Sequence, residues 1–244
     1  MLRGIGPGYA RDLLTIKKIT GMEPLTFIDV GGHYGETAKA AHYVFPLAEI
    51  HSFEPVFKSW EVMREKLIGE QYHVYNVALG NKTGKANFWD NEFSGASSLL
   101  ANTKEQDTIF SITKNRKKTA VDMIRFDYLK NLNGIKLDRP VFLKIDVQGA
   151  EKLVLEGFGE LIKQVDILQV EFSFKKFYED QTTFKDIIKF INAAQLDMFI
   201  QLNVNATKKD GLLYCDLIFF RKKECIPSSV FSIFPISNNK SYIF

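Results

Sequence analysis

Leu25-Thr26-Phe27-Ile28-Asp29-Val30-Gly31-Gly32-His33-Tyr34-Gly35 is a short apolar run that ends in an acid and then breaks into three glycines within five residues. The run is too short for a helix and carries β-branched and aromatic residues, so it predicts a buried strand. Glu36 to Phe45, rich in Ala, has helical spacing. A strand passing through a glycine turn into a helix is a ligand cradle: glycine permits close backbone approach, and the open helix N-terminus favours negative charge.

The spacing narrows the ligand. The dinucleotide fingerprint G-x-G-x-x-G is missing; the pattern is D-x-G-G-x-x-G, with Asp29 two residues ahead of Gly31 and with Gly32 and Gly35 completing the turn. A carboxylate at the strand tip repels a pyrophosphate and attracts the ammonium of an amino-acid-like ligand, directly or through water. The next strand, Glu49 to Phe53, ends in Glu54-Pro55, and an acid about 20 residues beyond the glycine turn is where a ribose diol is held. A nucleoside carrying an amino acid satisfies both acids, and S-adenosylmethionine is such a molecule. Two plainer readings stand beside it, Asp29 as a helix cap and Glu54 as a solvated strand end.

Arg139 to Glu151 repeats the design, with an apolar strand ending in Asp146 and a helix from Ala150 to Leu155. Lys144 and Asp146, two apart, share a face of that strand. Asp146 then reaches the crevice of Asp29 and Glu54, or else caps the helix. Asp166 to Phe172 is a further such strand with Glu171 at its tip. Between these stretches, Pro55 to Leu67 reads as a helix and Tyr72 to Gly80 as one strand. In that strand Asn76 and Ala78 frame an adenine, or Asn76 is a turn residue. Asn81 to Gly84 is a turn and Lys85 to Trp89 a strand, forming a hairpin. Asn91 to Lys118 is polar and longer than the ~12–15 residues usual for a structureless loop, which marks a lid or substrate loop.

The later chain adds a strand over Thr119 to Phe126, a short helix over Tyr128 to Asn131, a helix over Thr183 to Ala194, and strands over Leu196 to Val204 and Leu212 to Phe220. Strand–helix alternation closed by two linked strands predicts a single α/β domain over 1–244. Its core is a Rossmann-like, mostly parallel seven-stranded sheet with helices on both faces and an antiparallel edge hairpin. Residues 1–24 are an N-terminal helical extension, which covers the sheet or lids the site, and 225–244 are a C-terminal tail.

Charged residues are 25%, hydrophobic ones 45% and the net charge +3, an ordinary globular balance without a nucleic-acid footprint. Cys215 and Cys225 form no disulfide framework or metal cluster and suit a cytoplasmic protein. The sequence has no ~20-residue apolar span for a membrane.

The chain resembles the FkbM-type family of S-adenosylmethionine-dependent methyltransferases. The carriers, in order, are Phe27 to Gly35, Phe53-Glu54-Pro55, Asn76-Val77-Ala78-Leu79, Gly95-Ala96-Ser97-Ser98-Leu99 and Leu143 to Glu151. The family usually has Asn or a similar residue where this chain has His33, and Glu at Gln148. The resemblance implies a class I methyltransferase fold, with Asp29, Gly31, Gly32 and Gly35 on the methionine side of the cofactor, Glu54 on the ribose, and Asn76 and Ala78 by the adenine. It also implies O-methylation of a hydroxyl on a sugar, glycan or specialised metabolite. Asp146 is the first candidate base and Glu171 the second. The same two carboxylates holding Mg²⁺ is the lesser reading, and no metal is expected. Two other classes are a non-catalytic cofactor-binding or structural subunit, and an NAD-type oxidoreductase, which the glycine spacing disfavours.

Overall fold

A computed structural model of the chain describes residues 7–221. The first residues, the 225–244 tail and Cys225 lie outside the described residues.

β1 (Thr26–Val30) is buried at all five positions and pairs in parallel with β2 (Glu49–Phe53) on one side and β7 (Val141–Ile145) on the other. Alternate side chains feed two cores. Ile28, Val30, Leu143 and Ile145 pack on α6 (Glu151–Phe158) and α7 (Phe184–Ala194), whereas Phe27, Ile50 and Phe142 pack on α1 (Pro7–Thr20) and α2 (Glu36–Val44). Burial on both faces is why these strands read as near-continuous apolar runs.

β3 (Tyr72–Tyr75) extends the sheet beyond β2, and β8 (Ile167–Ser173) extends it beyond β7. β10 (Gly211–Phe220) then runs antiparallel between β8 and the edge strand β9 (Met198–Thr207). The order is β3-β2-β1-β7-β8-β10-β9, the seven-stranded, mostly parallel sheet with an antiparallel edge that the sequence predicts. The chain leaves β1 towards β2 and later returns to its other side as β7. The strand order reverses at that point, and a crevice opens beyond the carboxyl ends.

Two expectations are corrected. Tyr72 to Gly80 is not one strand: it breaks at Asn76, and β4 (Ala78–Leu79) joins a separate three-stranded sheet. The strand after the Asn81–Gly84 turn, β5 (Gly84–Asn91), does not form a hairpin with the preceding one. It pairs antiparallel with β6 (Arg116–Ile124), which pairs in parallel with β4. The segment between β5 and β6 is ordered by short 3₁₀ turns and α4 (Lys104–Ile109) rather than structureless.

α1 covers the sheet, with Ala10, Leu13 and Ile16 in the core beside Ala38 and Ala41. Tyr9, in its first turn, also reaches the crevice. Among the described residues no helix is long and apolar enough to cross a membrane. The elements α3 (Phe57–Lys66) and α5 (Phe126–Asn133) complete the layers.

The tightest point is Gly31, with φ 83, where an added Cβ would lie 1.9 Å from the Asp146 carbonyl oxygen. Gly31→Ala therefore forces the ends of β1 and β7 apart and strains the turn, at about 2–4 kcal/mol of unfolding free energy. Chemical denaturation checks this, and Gly8→Ala, where nothing lies within 4 Å, is expected to be close to neutral.

Candidate active site

The turn after β1 is fixed from within. The amides of Gly31 and Gly32 both donate to the Phe53 carbonyl, at 3.0 and 2.9 Å, and Gly35 caps α2 in the left-handed region. These glycines are thus required by steric closeness rather than as amide donors for a ligand. A Cβ on Gly32 would meet Met63 Sδ at 2.9 Å, and one on Gly35 would meet Leu67 at 3.2 Å.

Glu54 stands just past β2. Its Oε2 accepts the His33 amide at 3.0 Å and its Oε1 accepts the Val56 amide at 2.7 Å. Burial pushes its carboxyl up to about 7, against those two hydrogen bonds, which favour the charged form. Asn76 donates to the carbonyls of Glu54 and Pro55 at 2.9 and 3.2 Å, so it locks this corner.

A cavity of about 340 Å³ opens above the strand ends. Gly31, Gly32, His33, Glu54, Lys144 and Asp146 line its polar side, and Val77, Ala78, Leu79, Phe88 and Leu99 form an apolar wall. Asp29, Gly35, Asn76 and Glu171 are not on its surface. Asp29 lies directly beneath it, 0% exposed, with no hydrogen-bond partner on either carboxylate oxygen and Lys144 Nζ 3.4 Å away. Burial raises its pKa while Lys144 opposes the rise.

Lys144 is the register partner of Asp29 on β7. It also lies 3.5 Å from Asp146 Oδ2, with its own side chain 7% exposed against 38% for Asp146. Burial opposes the lysine charge, but Asp146 and Asp29 outweigh it and raise its pKa. Beyond Asp146, Gln148 Nε2 donates to Asp146 Oδ1 and to Glu171 Oε2, and Tyr178 donates to Gln148 Oε1. Glu171 is partly buried, and burial together with Asp146, Glu151 and Asp216 raises its pKa well above the usual carboxylate range. Among the described residues no group of three or more His, Cys, Asp or Glu is placed to hold a metal ion.

Part of the 91–118 segment straps the cavity. Ser94 Oγ lies 2.8 Å from His33 Nε2 and 3.1 Å from the Tyr34 hydroxyl. Ser98 Oγ donates to the Gln148 carbonyl at 2.8 Å. The strap is therefore pinned to both glycine turns. Sequence reasoning identified the segment but not these anchors, because nothing local in the sequence pairs Ser94 with a residue 61 positions earlier. It also missed Tyr9 and the Phe88 wall, which reach the cavity only through packing.

The lining fits a nucleoside joined to an amino acid. It offers an apolar wall, a carboxylate at Glu54 whose oxygens each accept only one amide in the structure, and a buried acid, paired with Lys144, under the glycine turn.

A family model described as the methyltransferase FkbM domain matches residues 29–197. A curated relative from Sinorhizobium fredii, 2-O-methyltransferase NoeI, is 23% identical over 180 residues, covering 69% of this chain and 72% of its own. Among solved structures, magnesium protoporphyrin IX methyltransferase from Synechocystis PCC 6803 with bound S-adenosylmethionine aligns with TM-score 0.45 and 13% identity, over 86% of this chain and 79% of that one. Precorrin-6y C5,15-methyltransferase from Geobacter metallireducens aligns with TM-score 0.45 and 8% identity, over 87% and 88%.

Ribose hydroxyls donate best to an ionised carboxylate. With burial pushing Glu54 up to about 7, affinity for S-adenosylhomocysteine is expected to be half-maximal near pH 7, to approach its full value about a unit above it and to fall below it by up to about tenfold per unit. Calorimetry from pH 5.5 to 8 checks this: Glu54→Gln binds more weakly and loses most of the pH dependence, whereas a flat wild-type profile contradicts the assignment.

Proposed function

The chain belongs to the FkbM methyltransferase family, a family dependent on S-adenosylmethionine, and from that premise we propose that it methylates a hydroxyl of a small-molecule or glycan acceptor. Sugars, glycans and specialised metabolites are the acceptor classes. The observation that carries an oxygen acceptor is Asp146, a carboxylate on the cavity surface beside a buried lysine. The name of the Sinorhizobium relative supports the same reading.

The cofactor, when bound, supplies an electrophilic methyl group. The chain's own residues do the rest. Glu54 would hold the ribose and the Val77–Leu79 wall would take the base, while Asp29, buried beneath the cavity floor beside Lys144, would add negative charge under the methionine side. A neutral alcohol is a poor nucleophile, and Asp146 Oδ, hydrogen-bonded to the acceptor hydroxyl, takes its proton. Lys144 Nζ lies 3.5 Å from Asp146 Oδ2, and Glu171 stands behind as the second carboxylate. The 91–118 segment serves as the substrate loop, since its Ser94–Leu99 strap roofs the cavity and excludes water from the reacting groups. We place the enzyme in the cytoplasm, with a single domain over 1–244 and acceptors that are not nucleic acid.

The test is methyl transfer from labelled S-adenosylmethionine to a panel of mono- and oligosaccharides and hydroxylated metabolites. Asp146→Asn is expected to lower kcat by about 10²–10⁴ while leaving S-adenosylhomocysteine affinity within about threefold. Wild-type kcat in Asp146→Asn, or transfer confined to nitrogen acceptors, contradicts the proposal.

A further inference from the structure

Asp146 follows the end of β7 and Glu171 lies inside the neighbouring β8, two residues before its last and not at the tip the sequence predicts, and one side chain joins them. Gln148 Nε2 donates to Asp146 Oδ1 at 2.9 Å and to Glu171 Oε2 at 3.0 Å, while Gln148 Oε1 accepts the Tyr178 hydroxyl at 2.9 Å. An amide nitrogen has two hydrogens, and both are used on carboxylates. Turning the amide over would set its oxygen against two carboxylate oxygens and its nitrogen against the tyrosine, so its orientation is fixed. The backbone holds it there: Gln148 has φ 57, a left-handed conformation that is costly for a non-glycine residue. Its carbonyl is tied to Ser98. A costly backbone state aimed at a two-carboxylate bridge is the pattern of a functional position rather than of a surface turn.

We propose that Gln148 is a positioning residue for Asp146, holding its carboxylate beside Glu171 by placing a neutral two-donor group between the two. This rests on the reading of Asp146 as the base. The surroundings show why the neutrality matters. On β7, Lys144 faces Asp146; on β1 lies Asp29, and past β2 lies Glu54. Carboxylates press from β8 (Glu171), β10 (Asp216) and the start of α6 (Glu151). Tyr9 of α1, Glu36 of α2, Tyr178, Tyr214 of β10 and His33 complete the ring, and Lys66 of α3 and Arg116 of β6 act on His33 and Tyr178. Burial lowers the pKa of His33, and Lys144 is the cation 3.5 Å from Asp146. A further carboxylate at hydrogen-bond distance from both Asp146 and Glu171 would favour proton binding by the cluster, whereas the amide donates to both and accepts no proton.

The test needs no acceptor. The carboxyl carbon of Asp146 is followed by NMR against pH in aspartate-labelled protein, its resonance assigned by its loss in Asp146→Asn. In Gln148→Glu the midpoint is expected to rise by at least about one pH unit, as for carboxylates that share a site. In Gln148→Leu it is expected to rise by less, because the charged form loses a donor. S-adenosylhomocysteine binding in the same samples reports that each variant is folded. With a methylated acceptor in hand, the acid limb of kcat/KM moves up by the same amount, so activity is lost at a higher pH than in wild type. Midpoints unchanged in both variants overturn the inference. Wild-type kcat in Asp146→Asn overturns only the reading of the base, so the two failures are distinguishable.

Discussion

The site depends on one close approach. The Asp146 carbonyl occupies the space that a side chain at position 31 would need, and the Asp146 amide donates to the Val30 carbonyl at 3.0 Å. The two strand ends are thereby held edge to edge past the last residue of β1. Asp29, Lys144 and Asp146 follow from this as a consequence of register, with the lysine between two acids on one face of the sheet. A buried charge without a partner is costly, and a buried pair is weak evidence for stability. Lys144 is better understood as fixing the charge state of the crevice: it lies between Asp29 and Asp146, and the two acids raise its pKa.

Around that pair the residues divide the work. The glycine amides are spent on Phe53, so the turn acts as shape. Glu54 offers charge where burial makes charge expensive, and two backbone amides offset that cost. Asp29, beneath the floor, explains why a dinucleotide is the wrong ligand: a pyrophosphate would meet a buried carboxylate in place of open amides. The strap from Ser94 to Leu99 ties the two turns together from above, so Glu54, His33, Gln148 and Asp146 belong to one connected network.

What could be read from the sequence was what the sheet makes local. β1, β2, β7 and β8 each carry an acid at or near the carboxyl end, where an otherwise apolar run makes a charge conspicuous. The glycine turn, Glu54 and Asp146 were legible for that reason. What failed was pairing at a distance. Tyr72 to Gly80 alternates like one strand, but Asn76 bonds the carbonyls of Glu54 and Pro55 and turns the chain away, and β5 finds its partner in β6 across the whole strap. Gln148 was visible only as a departure from a familiar pattern. Two of its three side-chain hydrogen bonds depend on Glu171 and Tyr178, more than 20 residues away, and all depend on a backbone conformation that no local rule gives to glutamine.

The central claim is that this crevice is built for an amino-acid-bearing nucleoside. Calorimetric titration of the protein with S-adenosylhomocysteine and, separately, with NAD tests it most directly. The account predicts micromolar binding of S-adenosylhomocysteine and no heat from NAD; binding of NAD with silence from S-adenosylhomocysteine would contradict it.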